Sequence, residues 1–369
     1  MKKIALLTSS RADYSIYLPL LKELKSEGKI AFDIIAFGSH GSPYHGETVK
    51  VIEKDGFKVK SCVESMVIGD SPEAVATSIG LTTMKFAQIW SAEKYDLIVC
   101  LGDRYEMFAA VSASVPFRIP VAHIHGGETT LGAIDNIYRH TLTHISQLHF
   151  VSTEKYKQKV VSLLGDSSHV YNVGAMSIDN LMEIELMSPE TFLETFGIDL
   201  SKKSILITLH PETVAYEKNE IYVQELVKAL KRLAENYQLI ITMPNLDTLG
   251  SMIREELNTF ISASEGKAIG VESFGTLGYL SCMKHCAFLL GNTSSGFVEA
   301  SFFPKQVINL GERQSGRIRT PNILDCALEE AEIMKAVAEI EKSEKLEKIE
   351  TYGTGQTAKK IHKILKQFL

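Results

Sequence analysis

Between His123 and His140 the chain reads His-Ile-His-Gly-Gly-Glu-Thr-Thr-Leu-Gly-Ala-Ile-Asp-Asn-Ile-Tyr-Arg-His, placing histidines, two carboxylates and an arginine behind an apolar run. A hydrophobic core needs none of these groups. Imidazole and carboxylate at short spacing behind a strand end are what proton transfer at the carboxyl edge of a parallel sheet requires. His125 stands at that strand end, Gly126 and Gly127 allow close backbone approach to a ligand, and Glu128 follows at once. Asp135 and Arg139 are four residues apart, the spacing of an ordinary helical ion pair. His140 and His144 share a helix face, but no Glu-x-x pattern or cysteine cluster accompanies them, which disfavours a metal.

Three other loops carry polar groups that a connection alone does not demand. Ser9-Ser10-Arg11-Ala12-Asp13 offers hydroxyls, backbone N–H groups and a guanidinium to an anion at a helix N-terminus. The plainer alternative for Ser10 or Asp13 is helix capping. Leu101-Gly102-Asp103-Arg104-Tyr105-Glu106 follows the apolar run Leu97 to Cys100. There Asp103 is either a site carboxylate beside Arg104 or an N-cap with a capping-box partner at Glu106. Gly291-Asn292-Thr293-Ser294-Ser295-Gly296 spaces its glycines like a P-loop, but Phe297 stands where that loop needs lysine. ATP hydrolysis of that kind is disfavoured, while a phosphate cradle of N–H groups and the Thr293, Ser294 and Ser295 hydroxyls survives. Arg313, after the next strand, can bring a cation to the same phosphates, and His210 lies at another strand end.

The elements that must position these loops are short apolar runs alternating with longer amphipathic ones, the pattern of parallel strands buried on both faces between helices. Strands are expected at 2–8, 32–38, 57–60, 96–102, 121–126, 148–152 and 170–174, with helices from Tyr14, Pro72, Tyr105 and Thr153. The pattern restarts with strands at 204–208, 238–243, 268–271, 287–291 and 306–310. The fold class is therefore α/β, with two Rossmann-like doubly wound domains and a cleft between them. Met176 to Leu200 is helical in pattern but carries Pro189 and Gly197, which suits a domain junction. The expected division is 1–175 for the domain with the catalytic acids and 176–355 for a nucleotide-binding domain. A lysine-rich helix at 356–369 is able to pack back on the first domain.

Bulk composition narrows the function classes. A length of 369 residues suits two domains, and a net charge of -6 with 23% charged residues argues against nucleic acid as a partner. The five scattered cysteines read as reduced thiols in a cytoplasmic protein, and Cys282-x3-Cys286 without a second pair reads as helix packing. After Met-Lys-Lys the apolar run lasts only from Ile4 to Leu7, a first strand rather than a signal peptide, and no run is long enough to span a membrane. No Gly-x-Gly-x-x-Gly follows the first strand, so a dinucleotide-binding turn of the usual kind is missing.

Taken together, Ser10-Arg-Ala-Asp-Tyr14, Gly102-Asp-Arg104, His123-Ile-His-Gly-Gly-Glu128, Asp135 with Arg139-His140, His210-Pro211, Pro244-Asn245, and Gly291 to Gly296 with Glu299 resemble the hydrolysing UDP-N-acetylglucosamine 2-epimerases. The resemblance runs from the first strand to about Arg317, and the motifs are specific jointly rather than singly. It implies a GT-B-type pair of domains holding a nucleotide sugar, with UDP and N-acetylmannosamine as products for sialic-acid synthesis. Related members use a diacetamido-trideoxy sugar nucleotide on the legionaminic-acid route. Many members carry a catalytic glutamate where this chain has His125; a bacterial subgroup shares His-Ile-His-Gly-Gly-Glu. The acid role there passes either to Glu128 or to His125 itself.

The implied chemistry accounts for the residue types. Breaking the anomeric C1–O bond leaves negative charge on the diphosphate, which Arg11, Arg313 and the helix N-terminus after Gly291 would stabilise. A base, with Asp103 the first choice, removes the C2 proton to give the C1=C2 glycal. Water then adds at C1 while a second group protonates C2 from the other face, the candidates being Glu128, Asp135 and His125. By resemblance His210 contacts the diphosphate and Glu299 the ribose, and Arg104, Arg139, Asn245 and Gly296 join the substrate contacts. No metal or redox cofactor is required. The expected partners are a UDP-linked sugar and further copies of the chain in a homodimer or homotetramer, with neither nucleic acid nor membrane. A GT-B glycosyltransferase and a non-catalytic nucleotide-sugar sensor are the competing readings.

Overall fold

The computed structural model describes residues 1–43, 46–69, 71–214, 216–244 and 250–369. Two compact units emerge. The first comprises Met1–Glu128, Asp135–Met182 and Tyr352–Leu369, and the second Thr129–Ile134 with Glu183–Thr351.

In the first unit the strands are β1 (Lys3–Thr8), β2 (Ala31–Phe37), β3 (Val59–Val63), β4 (Leu97–Leu101), β5 (Val121–Ile124), β6 (Leu148–Val151) and β7 (Val170–Asn172). All pair in parallel, in the order β3-β2-β1-β4-β5-β6-β7. Its helices are α1 (Arg11–Glu27), α2 (Val49–Lys54), α3 (Pro72–Ala92), α4 (Tyr105–Ser112), α5 (Asp135–Ile145), α6 (Glu154–Leu164) and α7 (Met176–Glu183), whose final residue begins the second unit. Strands such as β4, Leu-Ile-Val-Cys-Leu, are buried along their whole length because helices cover both faces. One face packs on α1, where Leu6, Val99 and Ile124 meet Tyr17 and Leu21. The other face packs Leu7, Ile98 and Val121 against Phe86 and Trp90 of α3.

The second unit has β8 (Ser204–Thr208), β9 (Gln238–Thr242), β10 (Ala268–Val271), β11 (Phe288–Gly291), β12 (Val307–Leu310) and β13 (Ile323–Cys326), again parallel, in the order β10-β9-β8-β11-β12-β13. Around them lie α8 (Pro189–Phe196), α9 (Asn219–Leu233), α10 (Gly250–Ala263), α11 (Gly275–His285), α12 (Glu299–Phe302) and α13 (Glu330–Ile340). The last helix, α14 (Thr357–Phe368), belongs to the first unit and contributes Ala358, Ile361 and Leu365 to its core. Both sheets reverse strand direction of growth beside their first strand, so the topological switch points fall between β1 and β4 and between β8 and β11, where open α/β sheets bind ligands.

The structure departs from the sequence reading in three places. Strand β13 was not foreseen: Ile-Leu-Asp-Cys is short, half-buried and at a sheet edge, so it lacks the long apolar run of a central strand. The chain leaves the first unit after Met182 rather than after 175, because Met176 packs in the first core and Asp179 accepts the N–H groups of Thr357 and Ala358 at 3.0 and 2.7 Å. Residues 129–134, read as part of the first domain, belong to the second unit, where Leu131 N–H donates to the Ser315 carbonyl at 2.9 Å and Ile134 N–H to Thr213 Oγ1 at 2.9 Å. Pro189 and Gly197 bound α8 within the second unit, as its first-turn proline and left-handed C-cap.

Candidate active site

The first cluster is built at the carboxyl ends of β4 and β5, which pair directly. β5 ends at Ile124, and His125 takes a left-handed φ of 66°, an uncommon conformation for a non-glycine residue. Its N–H donates to the Phe150 carbonyl at 2.8 Å and its carbonyl accepts from Arg139 Nη1 at 2.9 Å, so the backbone is held on both sides. His125 Nδ1 lies 3.0 Å from Glu128 Oε1. A carboxylate only accepts, so Nδ1 donates, and the tautomer that does so carries its lone pair on Nε2. That Nε2 is buried with no hydrogen-bond partner among the described residues.

Arg139, on α5, is itself buried and binds two acids. Its Nη2 pairs with Asp103 Oδ2, and Nη1 stands 3.7 Å from Glu128 Oε2. Glu128 also accepts from Ser152 Oγ at 3.3 Å. Asp103 is therefore not the N-cap of α4. Arg104 occupies that position, and Glu106, buried, holds the Arg104 guanidinium through contacts of 3.0 and 3.2 Å instead of closing a capping box. Charge pairing wins because a buried carboxylate gains more from a bidentate guanidinium than from one backbone N–H. Beneath them His123 Nε2 donates to the Gly102 carbonyl at 2.8 Å, and burial pulls its pKa down to about 3, leaving it a neutral structural donor. Burial likewise lowers His140 to about 4, with Lys159, Arg139 and His144 adding to the effect.

At the end of β1 the capping alternative holds. Ser10 Oγ accepts from Asp13 N–H at 3.3 Å, and Asp13 accepts from Ser9 N–H, Ser9 Oγ and Ser10 Oγ at 2.9, 2.6 and 3.0 Å. These contacts engage both oxygens of the buried Asp13 in shaping the turn, which leaves Arg11, exposed in the first turn of α1, as the group offered outward. Asp135 opens α5 one turn before Arg139.

The second unit has its own cluster after β8, β11 and β12. Gly291, at φ 149°, has no room for a side chain, since a Cβ would stand 1.9 Å from the Thr208 carbonyl oxygen. The chain then makes a 3-10 turn at Ser294–Gly296 and a four-residue helix from Glu299. Thr293 and Ser295 hydroxyls lie 3.2 Å apart, and Ser295 meets the Tyr279 hydroxyl at 2.6 Å. His210 is fixed by Asn292, whose side chain accepts its N–H at 2.7 Å and donates to its carbonyl at 2.8 Å. Arg313 has a buried Nε with no partner among the described residues. Asn245 lies outside the described residues. Among the described residues no group of three or more His, Cys, Asp or Glu could hold a metal, and no helix is long and apolar enough to cross a membrane.

A family model described as UDP-N-acetylglucosamine 2-epimerase matches residues 22–366. The chain belongs to that family. Within it, the hydrolysing GDP/UDP-N,N'-diacetylbacillosamine 2-epimerase of Campylobacter jejuni is 34% identical, over 89% of this chain and 85% of that protein. The hydrolysing UDP-N,N'-diacetylbacillosamine 2-epimerase of Legionella pneumophila is 31% identical over 99% and 96%. The crystal structure of the UDP-GlcNAc 2-epimerase of Neisseria meningitidis bound to UDP-GlcNAc superposes with a TM-score of 0.84, covering 100% of each chain at 20% identity. That likeness carries the fold. For a member of the UDP-N-acetylglucosamine 2-epimerase family, the sequence reading named His125, Glu128, Asp103 and Arg139, which the structure brings into one network. It missed Glu106 as an ion-pair partner, and Glu212, Asn219, Asn292 and Gln314 as buried polar residues. Of these Glu212, directly after His210-Pro211 at a strand end, and Asn292, inside the Gly291–Gly296 loop, carried a local signal.

Proposed function

We propose that this chain is a hydrolysing nucleotide-sugar 2-epimerase in which His125, oriented by Glu128, is the proton-transfer base. The observation that carries this reading is the His125 ring: Nδ1 is committed to Glu128, while Nε2 is buried and without a partner. Asp103, the first choice from sequence, has its Oδ2 already engaged by the Arg139 guanidinium. In the reaction the C1–O bond breaks with its electron pair leaving on UDP, and His125 Nε2 takes the C2 proton as C1=C2 forms. The imidazolium so formed sits against Glu128, whose charge stabilises it as the carboxylate of a catalytic triad does. A proton is then delivered to the opposite face of C2 by Asp135, which enters the step protonated, while water adds its hydroxyl to C1 and passes its other proton to the Asp135 carboxylate; His125 releases the C2 proton to solvent. Thr293, Ser294, Ser295, the N–H groups after Gly291, and Arg313 are assigned to the diphosphate, with His210 beside them and Glu299 on the ribose.

The preferred substrate is UDP-N,N'-diacetylbacillosamine, as the names of the Campylobacter and Legionella relatives favour. UDP-N-acetylglucosamine is the second reading, favoured by the description of the family model. Turnover of both in deuterium oxide tests mechanism and substrate together. The expected result is UDP release with one solvent deuterium at C2 of the freed sugar, faster for the diacetamido substrate. A freed or transferred sugar that keeps its original C2 proton would sink the epimerase reading in favour of a glycosyltransferase. No UDP release from either compound would favour a sensor.

A further inference from the structure

Three neighbouring strands of the second unit, β8, β11 and β12, end in loops that are knitted by buried polar side chains. Asn292, after β11, clamps the backbone of His210, after β8. Gln314, after β12, donates from Nε2 to the Asn292 carbonyl at 2.8 Å. Glu212 closes the ring: its Oε1 accepts the N–H of Glu312 at 2.7 Å, and although burial raises its pKa above the ordinary carboxylate value, the Glu312 and Arg313 N–H groups partly offset that rise. The Glu212 backbone is itself gripped by Asn219, which accepts from its N–H and donates to its carbonyl, both at 2.9 Å.

Glu212 is 2% exposed, and burying a carboxylate is costly unless hydrogen bonds replace its water. Here the backbone of the Arg313 loop supplies them. The fit is close on both sides of that loop. Gly311 has φ 66°, and a Cβ on it would stand 2.5 Å from Glu212 Oε1. A Cβ on Gly132 would stand 2.5 Å from Arg313 Cα.

We infer that Glu212 is a positioning residue for nucleotide binding: its carboxylate fixes the Gly311–Arg313 backbone so that Arg313 meets the diphosphate in one preset place. This rests on reading the loops of the second unit as the diphosphate site. Glu212 touches no substrate itself. Its effect must therefore run through Arg313, which a general structural role would not require.

A double-mutant cycle on the full chain, read as the dissociation constant for UDP, tests this. Glu212→Ala is expected to weaken UDP binding about tenfold or more, as does Arg313→Ala, and the double variant should lose no more than about twofold beyond Arg313→Ala, by the logic of charge-assisted contacts. KM should rise more than kcat falls. Glu212→Gln keeps one acceptor oxygen and should lose only about threefold; it carries the same cycle if Glu212→Ala does not fold. Wild-type affinity in the Glu212 variants, or losses that multiply with those of Arg313→Ala, would overturn the inference. A wild-type chain that does not bind UDP would overturn the diphosphate reading as well, and is told apart because no variant is needed to see it.

Discussion

His125 combines a left-handed backbone, a carboxylate on one ring nitrogen and a buried lone pair on the other. The first and the last cost stability, the φ of 66° straining a non-glycine residue by on the order of 1 kcal/mol and the buried nitrogen lacking a partner among the described residues. Together they aim one nitrogen. Replacing His125 with Ala is expected to lower UDP release about a hundredfold or more, the scale of a lost general base, with the circular dichroism spectrum unchanged. Glu128→Gln should lose less, because the ring remains but its orientation and the charge opposing the imidazolium are weakened. Steady-state kinetics of the two variants decides the point, and a His125→Ala enzyme with wild-type turnover would return the base to Asp103. The candidates themselves were legible in sequence, but their pairing was not. Asp135, four residues before Arg139, is the partner that local spacing suggests, whereas Arg139 meets Asp103, 36 residues earlier, and lies near Glu128.

At the scale of elements, the strands that carry the site are stabilised by histidines that stay neutral. His123 on β5 and His149 on β6 are register partners, and His40 sits behind β1 with Nε2 2.9 Å from Thr8 Oγ1. Burial lowers their pKa values from 6.5 to about 3, 4 and 4 respectively. Between pH 6.5 and about 4 the unfolded chain binds protons that these folded rings refuse, so stability falls as pH falls through that window. Each ring contributes at most about 1.4 kcal/mol per pH unit. Urea unfolding of the first unit, followed at a series of pH values, should show midpoints dropping steeply below pH 6.5, and a flat profile would contradict this assignment. Sequence showed histidines on an apolar run and could not say whether they were ligands, bases or buried donors. Burial settles it, and burial is a property of the packed sheet.

For the whole molecule, the return of the chain to its first unit combines the apolar face of α14 with an acid that receives its first turn. Asp179 accepts the N–H groups of Thr357 and Ala358, and thereby caps a helix whose own N-cap position, Gln356, makes no side-chain cap. Removing it leaves two buried donors unmet, so Asp179→Ala should destabilise the chain by about 2 to 4 kcal/mol, taking roughly 1 to 2 for each donor. Chemical denaturation measures the loss, and hydrogen exchange should show it concentrated in residues 357–368; unchanged protection there would count against the cap.

What the sequence determined by itself was the alternation of elements and the location of the polar loops at the strand ends. Strands buried on both faces must be unbroken apolar runs, and strand-end loops must carry the polar groups that a ligand needs, so both are written in consecutive residues. Tertiary structure decided which charge pairs with which, that Asp13 serves the turn while His125 keeps a buried Nε2 without a hydrogen-bond partner among the described residues, that β13 completes an edge, and that Asp179 receives a helix 178 residues further on. Those outcomes depend on hydrogen bonds and desolvation between residues far apart in the chain, and no local pattern encodes the distance across a fold.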